Sequence, residues 1–582
     1  MWQVRELTGS VLISSATVWA TTHGQPLFPY EENSLTDDKL QQLIESNEVK
    51  EAAPLFAFDH GTGVLDPDRL KSGACKAYPG DAQWPPQSTW DMFDRMLGGA
   101  LIKTVPLAAP CYRNLGVYDP NKCQAVRDSF FNQYTHENDP TSIFWPLYQG
   151  RTCMPTGDPD NGTCTHGGFP IYAVNISNVG QIQLAINFAR NANLRLVIKN
   201  TGHCYLGKSS GAGALSIWTH NLKDITYYER LEIPGYSGPA LKSVGYAGGY
   251  IAGGGHTPLS GLYGMAADHV MALEVVTADG RFITASPEEN QDLYWALRGG
   301  GGGTFGVVTS IIIRVHPKLP VVTSSFSFST SRTVSADAFW EAMRTYLSLF
   351  VPFTDAGTYS WFVLSSSGNG SFTFSMEPFF APNHTLASFD ALVKPCNVVL
   401  NGAGRVAVPS NRLIPRANFE DPMSAKFNAT FATIRRHSEA GHRLMGYHQA
   451  PRNRANADNA VSSAFRHVVC FLILSAPPLT ADSTPAEVGA ASRVLKEEII
   501  PAFKAIAPVS EFGGAYLNEA NVDEPEWQGN FYGTQYPRLL ELKRKWDPRE
   551  VFYATTAVGS EGWEVRDGDQ GVQTQNGRLC RV

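Results

Sequence analysis

The sequence predicts an α+β fold of two lobes, and three observations carry that reading. At 582 residues the chain exceeds what one compact core usually holds. From Ile171 a strand–helix–strand pattern opens and runs into glycine-rich, β-branched segments as far as about Val315, where Pro317 and Pro320 mark a boundary. Beyond that boundary the alternation changes character, with strand-like runs mixed with helical stretches to about residue 510. Apolar residues at 43% and charged residues at 17% describe an ordered chain.

The elements are taken in order. Residues 1–20 read as a signal peptide: Arg5 precedes a modest apolar stretch, Val11 to Ala20, that ends on small residues. No later apolar run approaches the ~20 residues of a membrane-spanning helix. Residues 21–140 are rich in Pro, Trp and Asp without a sustained period, which predicts an irregular, disulfide-pinned extension. Of the nine cysteines, Cys75, Cys111, Cys123, Cys153 and Cys164 fall early, and the short loops Cys111/Cys123 and Cys153/Cys164 look like disulfides. Zinc is the rival reading of these cysteines, disfavoured because no Cys-x-x-Cys pair occurs and no metal site is expected. Sequons at Asn161, Asn175, Asn369, Asn383 and Asn428 permit N-linked glycans on a secreted, extracellular protein. The net charge of -7 is spread without a basic run, so nucleic acid is not an expected partner. No protein partner is implied.

A strand from Ile171 to Val174 precedes a helix capped near Ser177 or Asn178, whose Ile182, Ala185, Phe188 and Ala189 share one face, and Arg195 to Lys199 is the next strand. Immediately after it comes Asn200-Thr-Gly-His-Cys-Tyr-Leu-Gly-Lys-Ser-Ser-Gly-Ala-Gly213. Glycines there bring backbone N–H groups close to a ligand, and successive amides form a nest suited to a pyrophosphate. The spacing fits neither the dinucleotide fingerprint that opens a helix nor the P-loop, which disfavours nicotinamide and ATP. A second cluster runs from Gly248 through Gly255 and His256 to Gly261, Gly264, Ala267 and Asp268, and a third from Arg298 through Gly299 to Gly303, Thr304, Phe305, Gly306 and Val307. Flanked by a helix and a β-branched run, the five glycines form a backbone that a flat ligand can touch.

These residues carry a resemblance. Thr201-Gly-His-Cys-Tyr-Leu-Gly, Gly-Gly-Gly-His256, Gly264-Met-Ala-Ala-Asp and Leu297-Arg-Gly-Gly-Gly-Gly-Gly-Thr-Phe-Gly306 look like the FAD-binding domain of the vanillyl-alcohol oxidase (VAO/PCMH) superfamily, berberine-bridge-enzyme-like branch. The closing stretch, Tyr516-Leu-Asn-Glu-Ala-Asn, Trp527, Phe531-Tyr-Gly, Lys543, Trp546-Asp-Pro and Phe552, resembles that branch's C-terminal segment. The likeness covers roughly residues 165–320 and 510–565. It implies a VAO/PCMH-type two-lobed flavoprotein: a split FAD lobe from residues 141–320 and 511–582, and residues 321–510 as an α+β substrate lobe on an antiparallel sheet.

By that resemblance His203 matches the histidine that bonds the flavin. Some members add a second bond from a cysteine eight residues before the Gly-Gly-His histidine; here that place is Gly248, so a single linkage is expected. Cofactor contacts are expected from Thr201, Gly202, Tyr205, Leu206, Gly207, Ser209, Ser210, Gly211, His220, Gly255, His256, Gly261, Gly264, Ala267, Asp268, Gly303, Gly306, Val307 and Asn518. Two departures stand out: Cys204, where close relatives often have Asp, and Glu519, where plant relatives carry a tyrosine that faces the substrate. A carboxylate there is the candidate base, with Tyr516, Glu377 and Tyr447 as further catalytic candidates, alternate strand positions of the second lobe facing the flavin.

The implied activity is an FAD-dependent oxidase that removes hydride from an alcohol, phenol or related small organic substrate and passes the electrons to O2, forming H2O2. Its alternatives are a secondary-metabolite tailoring oxidoreductase and a non-oxidase dehydrogenase, the latter because Ile251 resembles a position that screens flavin from oxygen. A binding glycoprotein on a degenerate flavin fold is disfavoured by the conformationally costly glycines.

Overall fold

The computed structural model describes residues 27–61, 69, 71–160, 162–233, 236–243, 248–393, 409–451, 456–477, 479, 483–568 and 574–582. The expected signal peptide and the Asn161 sequon lie outside the described residues. No helix among the described residues is long and apolar enough to cross a membrane.

The first lobe holds two sheets. In one, strands Leu101–Lys103, Tyr172–Asn175, Leu215–Trp218 and Leu196–Lys199 lie side by side in that order, the last three mutually parallel. Parallel strands need a crossover, and helix Val179–Asn191 supplies it between Tyr172–Asn175 and Leu196–Lys199, which flank Leu215–Trp218. Asn178 caps that helix by accepting the Gln181 N–H at 3.0 Å. Its Phe188 packs into a stack with Phe56 and Phe93. The second sheet is antiparallel, ordered Ile225–Ile233, Tyr236–Ser243, Val307–Arg314, Val270–Val276 and Phe282–Ala285.

The second lobe is a six-stranded antiparallel sheet, ordered Val321–Ser329, Ser371–Pro382, Tyr359–Gly368, Leu444–His448, Val468–Ser475 and Pro409–Pro415. Strand Val468–Ser475 is buried throughout because both faces are covered. Leu472 and Leu474 join the cluster of helices Ala336–Ser348, Ala425–Glu439 and Ile500–Ile506, while Phe471 and Ile473 join the core shared with the first lobe. This period of two is what turns one row of side chains toward the core shared with the first lobe. The helical run Pro485–Ile506 is interrupted by a π turn at Leu495–Ile499.

After the second lobe the chain returns. Helix Tyr536–Trp546 packs on helix Gln291–Leu297, with the Arg538 guanidinium 3.8 Å from the Trp295 ring centre. Lys543, buried, donates to the carbonyls of Thr304 and Phe552 and to Asp547, fastening the third glycine turn to the C-terminal segment. The disulfide Cys75–Cys580 ties the two ends of the described chain, and Cys111–Cys123 and Cys153–Cys164 are bonded as expected.

The N-terminal segment corrects one expectation. It holds three ten-residue helices, Asp37–Ser46, Gln87–Met96 and Pro120–Ser129, and contributes strand Leu101–Lys103 to the first sheet. Trp90, Phe93 and Met96 fall on one buried face of the second helix. Helices this short, two of them beginning at a proline and all separated by turns, leave too few repeats for a period to emerge from the sequence.

Candidate active site

Four stretches of chain meet around a cavity of about 450 Å³. They are the loop Asn200–Tyr205 with Lys208 and Ser209; Gly248–Tyr250; Gly301–Gly303 with Gly306–Val308; and the C-terminal pieces Tyr516, Asn518, Glu519 and Phe552–Ala554. Strand Leu196–Lys199 ends at this loop, so the parallel sheet delivers its C-terminal edge to the cavity.

The turns touch. A Cβ on Gly302 would lie 2.8 Å from the Gly249 Cα, so only glycine allows the second and third turns to approach this closely. The Gly301 N–H donates to the Ala252 carbonyl at 2.9 Å. Asn518 reaches back to donate to the Gly249 carbonyl and to the Tyr516 phenol, both at 2.8 Å, and its own carbonyl accepts from the Tyr205 N–H at 3.3 Å. Gly202 adopts φ +81°, which turns the chain so that the next residue, His203, lines the cavity.

His203 Nε2 stands 2.9 Å from Glu137 Oε1, and the ring meets Phe144 edge-on at 6.1 Å. Burial holds the imidazole below its ordinary pKa, against the attraction of Glu137 and with the repulsion of Lys199. The neutral, nucleophilic form is therefore favoured. Sequence reasoning missed Glu137, which sits on the N-terminal helix Gln133–Glu137 far from any motif.

Of the residues expected at the cofactor, Thr201, Gly202, His203, Tyr205, Ser209, Gly303, Gly306, Val307 and Asn518 line the cavity. The others are placed off its wall. Leu206 and Gly207 form the packed underside of the loop, Gly207 against Tyr148. Ser210 donates to the Gly168 carbonyl and accepts from Gln149, and Gly211 lies against Arg195. His220 stacks beside Trp218 and meets Asn138 at 3.4 Å. Gly255 lies against Tyr250 and Ala266, Gly261 abuts Gly357 of the second lobe, Gly264 ends helix Ser260–Tyr263, and Ala267 is buried in the core. Asp268 is engaged by Arg466 and Asn459. His256 sits among aromatic rings on the side of the second lobe. Small and polar residues next to a glycine turn resemble ligand contacts in sequence whether they face the ligand or the core behind it.

Among the catalytic candidates, Tyr516 and Glu519 line the cavity. Tyr447 stacks on Phe471 at 5.1 Å and reaches the site through His256 and Tyr359. Glu377 is a correction: it is exposed. The ladder slips between Ser324 and Phe326 and between Ser360 and Phe362, so Glu377 falls in a bulge where the alternation that should have turned it inward is broken. Burial raises the phenols of Tyr205, Tyr359, Tyr447 and Tyr516, and the Glu519 charge raises each further. These tyrosines stay protonated donors, which leaves Glu519 as the one carboxylate among the described residues lining the cavity.

Lys208 escaped the sequence reading. It lines the cavity, and its buried ammonium has no hydrogen-bond acceptor among the described residues. Cys204, also at the cavity, is a free thiol.

Comparison with known proteins decides the family. Residues 515–559 match the family described as berberine and berberine like, and residues 228–286 match an FAD binding domain. The VAO-type flavoprotein oxidase VAO615 of Thermothelomyces thermophilus is 35% identical over 90% of this chain and 98% of its own length. This chain belongs to the VAO/PCMH flavoprotein superfamily, in its berberine-bridge-enzyme-like branch. It is an FAD-dependent oxidoreductase. The bifunctional decalin synthase calF of Penicillium decumbens is 34% identical over 88% of this chain and 95% of its own length. The crystal structure of MtVAO615 from Myceliophthora thermophila superposes with a TM-score of 0.78 at 33% identity, covering 87% of this chain and all of that one. Aclacinomycin oxidoreductase, at 22% identity and a TM-score of 0.53 over 67% of this chain and 94% of its own, shares the fold.

The VAO/PCMH cofactor fits the residues present. Turns bare of side chains, with Gly302 against Gly249, leave backbone amides accessible, and Lys208 offers a buried cation without an acceptor. Thr201, Gly202, Ser209, Gly303 and Gly306 would hold FAD there.

Proposed function

We propose that this flavoprotein oxidises a small organic hydroxyl compound, an alcohol or phenol, with FAD attached through His203 as its single covalent linkage and with Glu519 as the base. The observation that carries the reading is Glu519: a partly buried carboxylate on the cavity wall, ringed by protonated tyrosines, with Oε2 buried and unpaired. When bound, FAD supplies a two-electron acceptor for hydride from the substrate carbon and returns the electrons to O2, giving H2O2. Glu519 accepts the hydroxyl proton, Tyr516 donates to a substrate oxygen, and the Tyr447–Phe471 stack forms a flat apolar layer behind the site. The neutral imidazole of His203 is the form that can bond the flavin methyl carbon.

The relative named a bifunctional decalin synthase and FAD-linked oxidoreductase patO of Aspergillus clavatus, 32% identical over 87% of this chain and 94% of its own, favour a second reading, tailoring of a secondary metabolite. Buried Ile251 keeps a non-oxidase dehydrogenase in view. Three disulfides fit export to an oxidising compartment, and Asn175, Asn369, Asn383 and Asn428 are exposed sequon asparagines that N-linked glycans can reach.

A panel of alcohols, sugars, phenols and aromatic polyketides, scored by anaerobic bleaching of the flavin and then by peroxide release in air, tests the activity and separates oxidase from dehydrogenase. Acid precipitation tests the linkage: flavin stays with the wild-type protein and is freed from His203→Ala. Glu519→Gln with unchanged turnover at every pH would remove the base from the scheme.

A further inference from the structure

His203 has a charged neighbour that contact with the cofactor does not explain. Oε1 of Glu137 lies 2.9 Å from His203 Nε2, the carboxylate largely buried and the imidazole partly exposed. The oxygen sits off the line of an N–H bond on that nitrogen, so the contact acts through charge rather than through an aligned hydrogen bond. Glu137 itself does not line the cavity. Its place is fixed from two sides. Lys199 ends the strand before the His203 loop, and its buried ammonium donates to the carbonyls of His136 and Glu137 at 3.1 and 3.3 Å. On the other side the Phe144 N–H donates to the Gly202 carbonyl at 3.1 Å, and the Ser142 hydroxyl meets His136 Nδ1 at 2.7 Å. The charged groups that His203 senses are Glu137 and Lys199, and the rings of His136 and His220 sense it in turn.

An unprotonated Nε2 would set its lone pair against a carboxylate oxygen at 2.9 Å, so the ring proton is assigned to Nε2 and the nucleophilic lone pair falls to Nδ1. Burial disfavours a charged imidazole at this place. Forming a bond from Nδ1 nevertheless spends that lone pair and leaves the ring positive until the Nε2 proton departs. Lys199 opposes such a charge, and Glu137 is the group that offsets it. We infer that Glu137 is a positioning residue for covalent attachment of the flavin: it fixes the His203 tautomer and supplies the counter-charge while Nδ1 bonds the 8α carbon. One hydrogen of the flavin's methyl group and the Nε2 hydrogen are lost as the N–C bond forms. The two electrons pass through the flavin to O2, and with these two hydrogens they make H2O2. This rests on the reading of His203 as the linking residue, and it gives the N-terminal segment a part in maturing the site.

The test follows bond formation and needs no substrate. The full chain is produced under riboflavin limitation, FAD is added in air, and samples taken over time are precipitated with acid. In the wild type flavin passes into the pellet, with one H2O2 released for each bond. In Glu137→Gln, which keeps the size of the side chain but not its charge, that passage is about tenfold slower. Glu137→Asp, which keeps the charge on a shorter arm, recovers part of the rate. In a His203→Ala background, adding Glu137→Gln leaves the Kd for FAD within about twofold, a readout that a merely structural role would move. A wild-type rate in Glu137→Gln overturns the inference, as does a loss of FAD affinity in the His203→Ala background as large as the loss of rate. If Glu137→Gln fails to fold, Glu137→Ala is read in the same way. Flavin that the wild-type pellet never retains defeats the His203 linkage itself. Retention by the wild type beside an undiminished rate in Glu137→Gln defeats only the role of Glu137.

Discussion

Arg466 closes both terminal nitrogens on the carboxylate of Asp268, Nη1 to Oδ2 at 2.8 Å and Nη2 to Oδ1 at 2.7 Å. Asn459 and the Met265 N–H complete the shell. Burial alone would raise the Asp268 carboxyl, but Arg466 outweighs it and holds the group below the ordinary carboxylate range. The pair joins the second glycine turn to helix Ala464–His467, which leads into the second lobe's sheet. Asp268→Asn should therefore cost about 3 kcal/mol of stability by leaving Arg466 without its counter-ion. Urea unfolding reads the loss, and the flavin-to-protein absorbance ratio of the folded fraction should stay at the wild-type value.

Gly302 separates packing from chemistry differently. The Cβ of Gly302→Ala would meet the Gly249 Cα at 2.8 Å, a backbone atom that no rotamer change can move. The second and third turns must part, at a cost of roughly 1–3 kcal/mol, and the surface that faces the cofactor opens. Loss of most bound flavin with an unchanged far-ultraviolet circular dichroism spectrum is the expected result.

Lys208 has a buried ammonium whose pKa is lowered by desolvation, with no acceptor to compensate. Such a charge is costly until an anion arrives. In a His203→Ala background, where flavin can dissociate, Lys208→Met should raise the Kd for FAD at least about tenfold, equivalent to about 1.4 kcal/mol. The cofactor-free protein should melt at a higher temperature than its Lys208 parent. Equal FAD affinities measured by fluorescence titration would show that Lys208 faces no charge on the cofactor.

These residues show how much was legible beforehand. The lobes, the strand–helix–strand entry and the three glycine turns were readable because glycine runs and hydrophobic periods are local signals. Strands Tyr172–Asn175 and Leu196–Lys199 fall within a residue of the expected limits, and helix Val179–Asn191 is capped at Asn178, one of the two expected positions. Glu519 and Tyr516, which line the cavity, stood out in the sequence because they depart from a motif or complete one. Glu137 and Lys208 were not, because what marks them is a neighbour brought by the fold: His203 for the one, an empty hydrogen-bond shell for the other. Glu377 failed for the converse reason, since a bulge breaks a period that the sequence alone carries through unbroken. Asp268 and His256 do not line the cavity, and adjacency to glycine does not say which side of a turn a side chain takes.

The buried carboxyls away from the site set how stability depends on pH. Burial, opposed by Lys242 and aided by Glu31, raises Glu274 to about 8, and burial opposed by Arg412 raises Glu524 to about 7. In the unfolded chain both titrate near the ordinary value of 4.5. Above that pH the unfolded state has released protons that the folded state still binds, so stability falls as pH rises. The loss is at most roughly 1.4 kcal/mol per pH unit for each group, and it ends near pH 7 for Glu524 and near pH 8 for Glu274. The melting temperature should therefore decline between about pH 5 and about pH 8 and level off above it. Glu274→Gln, which keeps the Thr284 hydroxyl within reach of an amide but carries no titrating proton, should flatten the upper part of that decline. A wild-type melting temperature that rises over this interval would mean that other groups dominate the linkage, and identical slopes in wild type and Glu274→Gln would remove Glu274 from it.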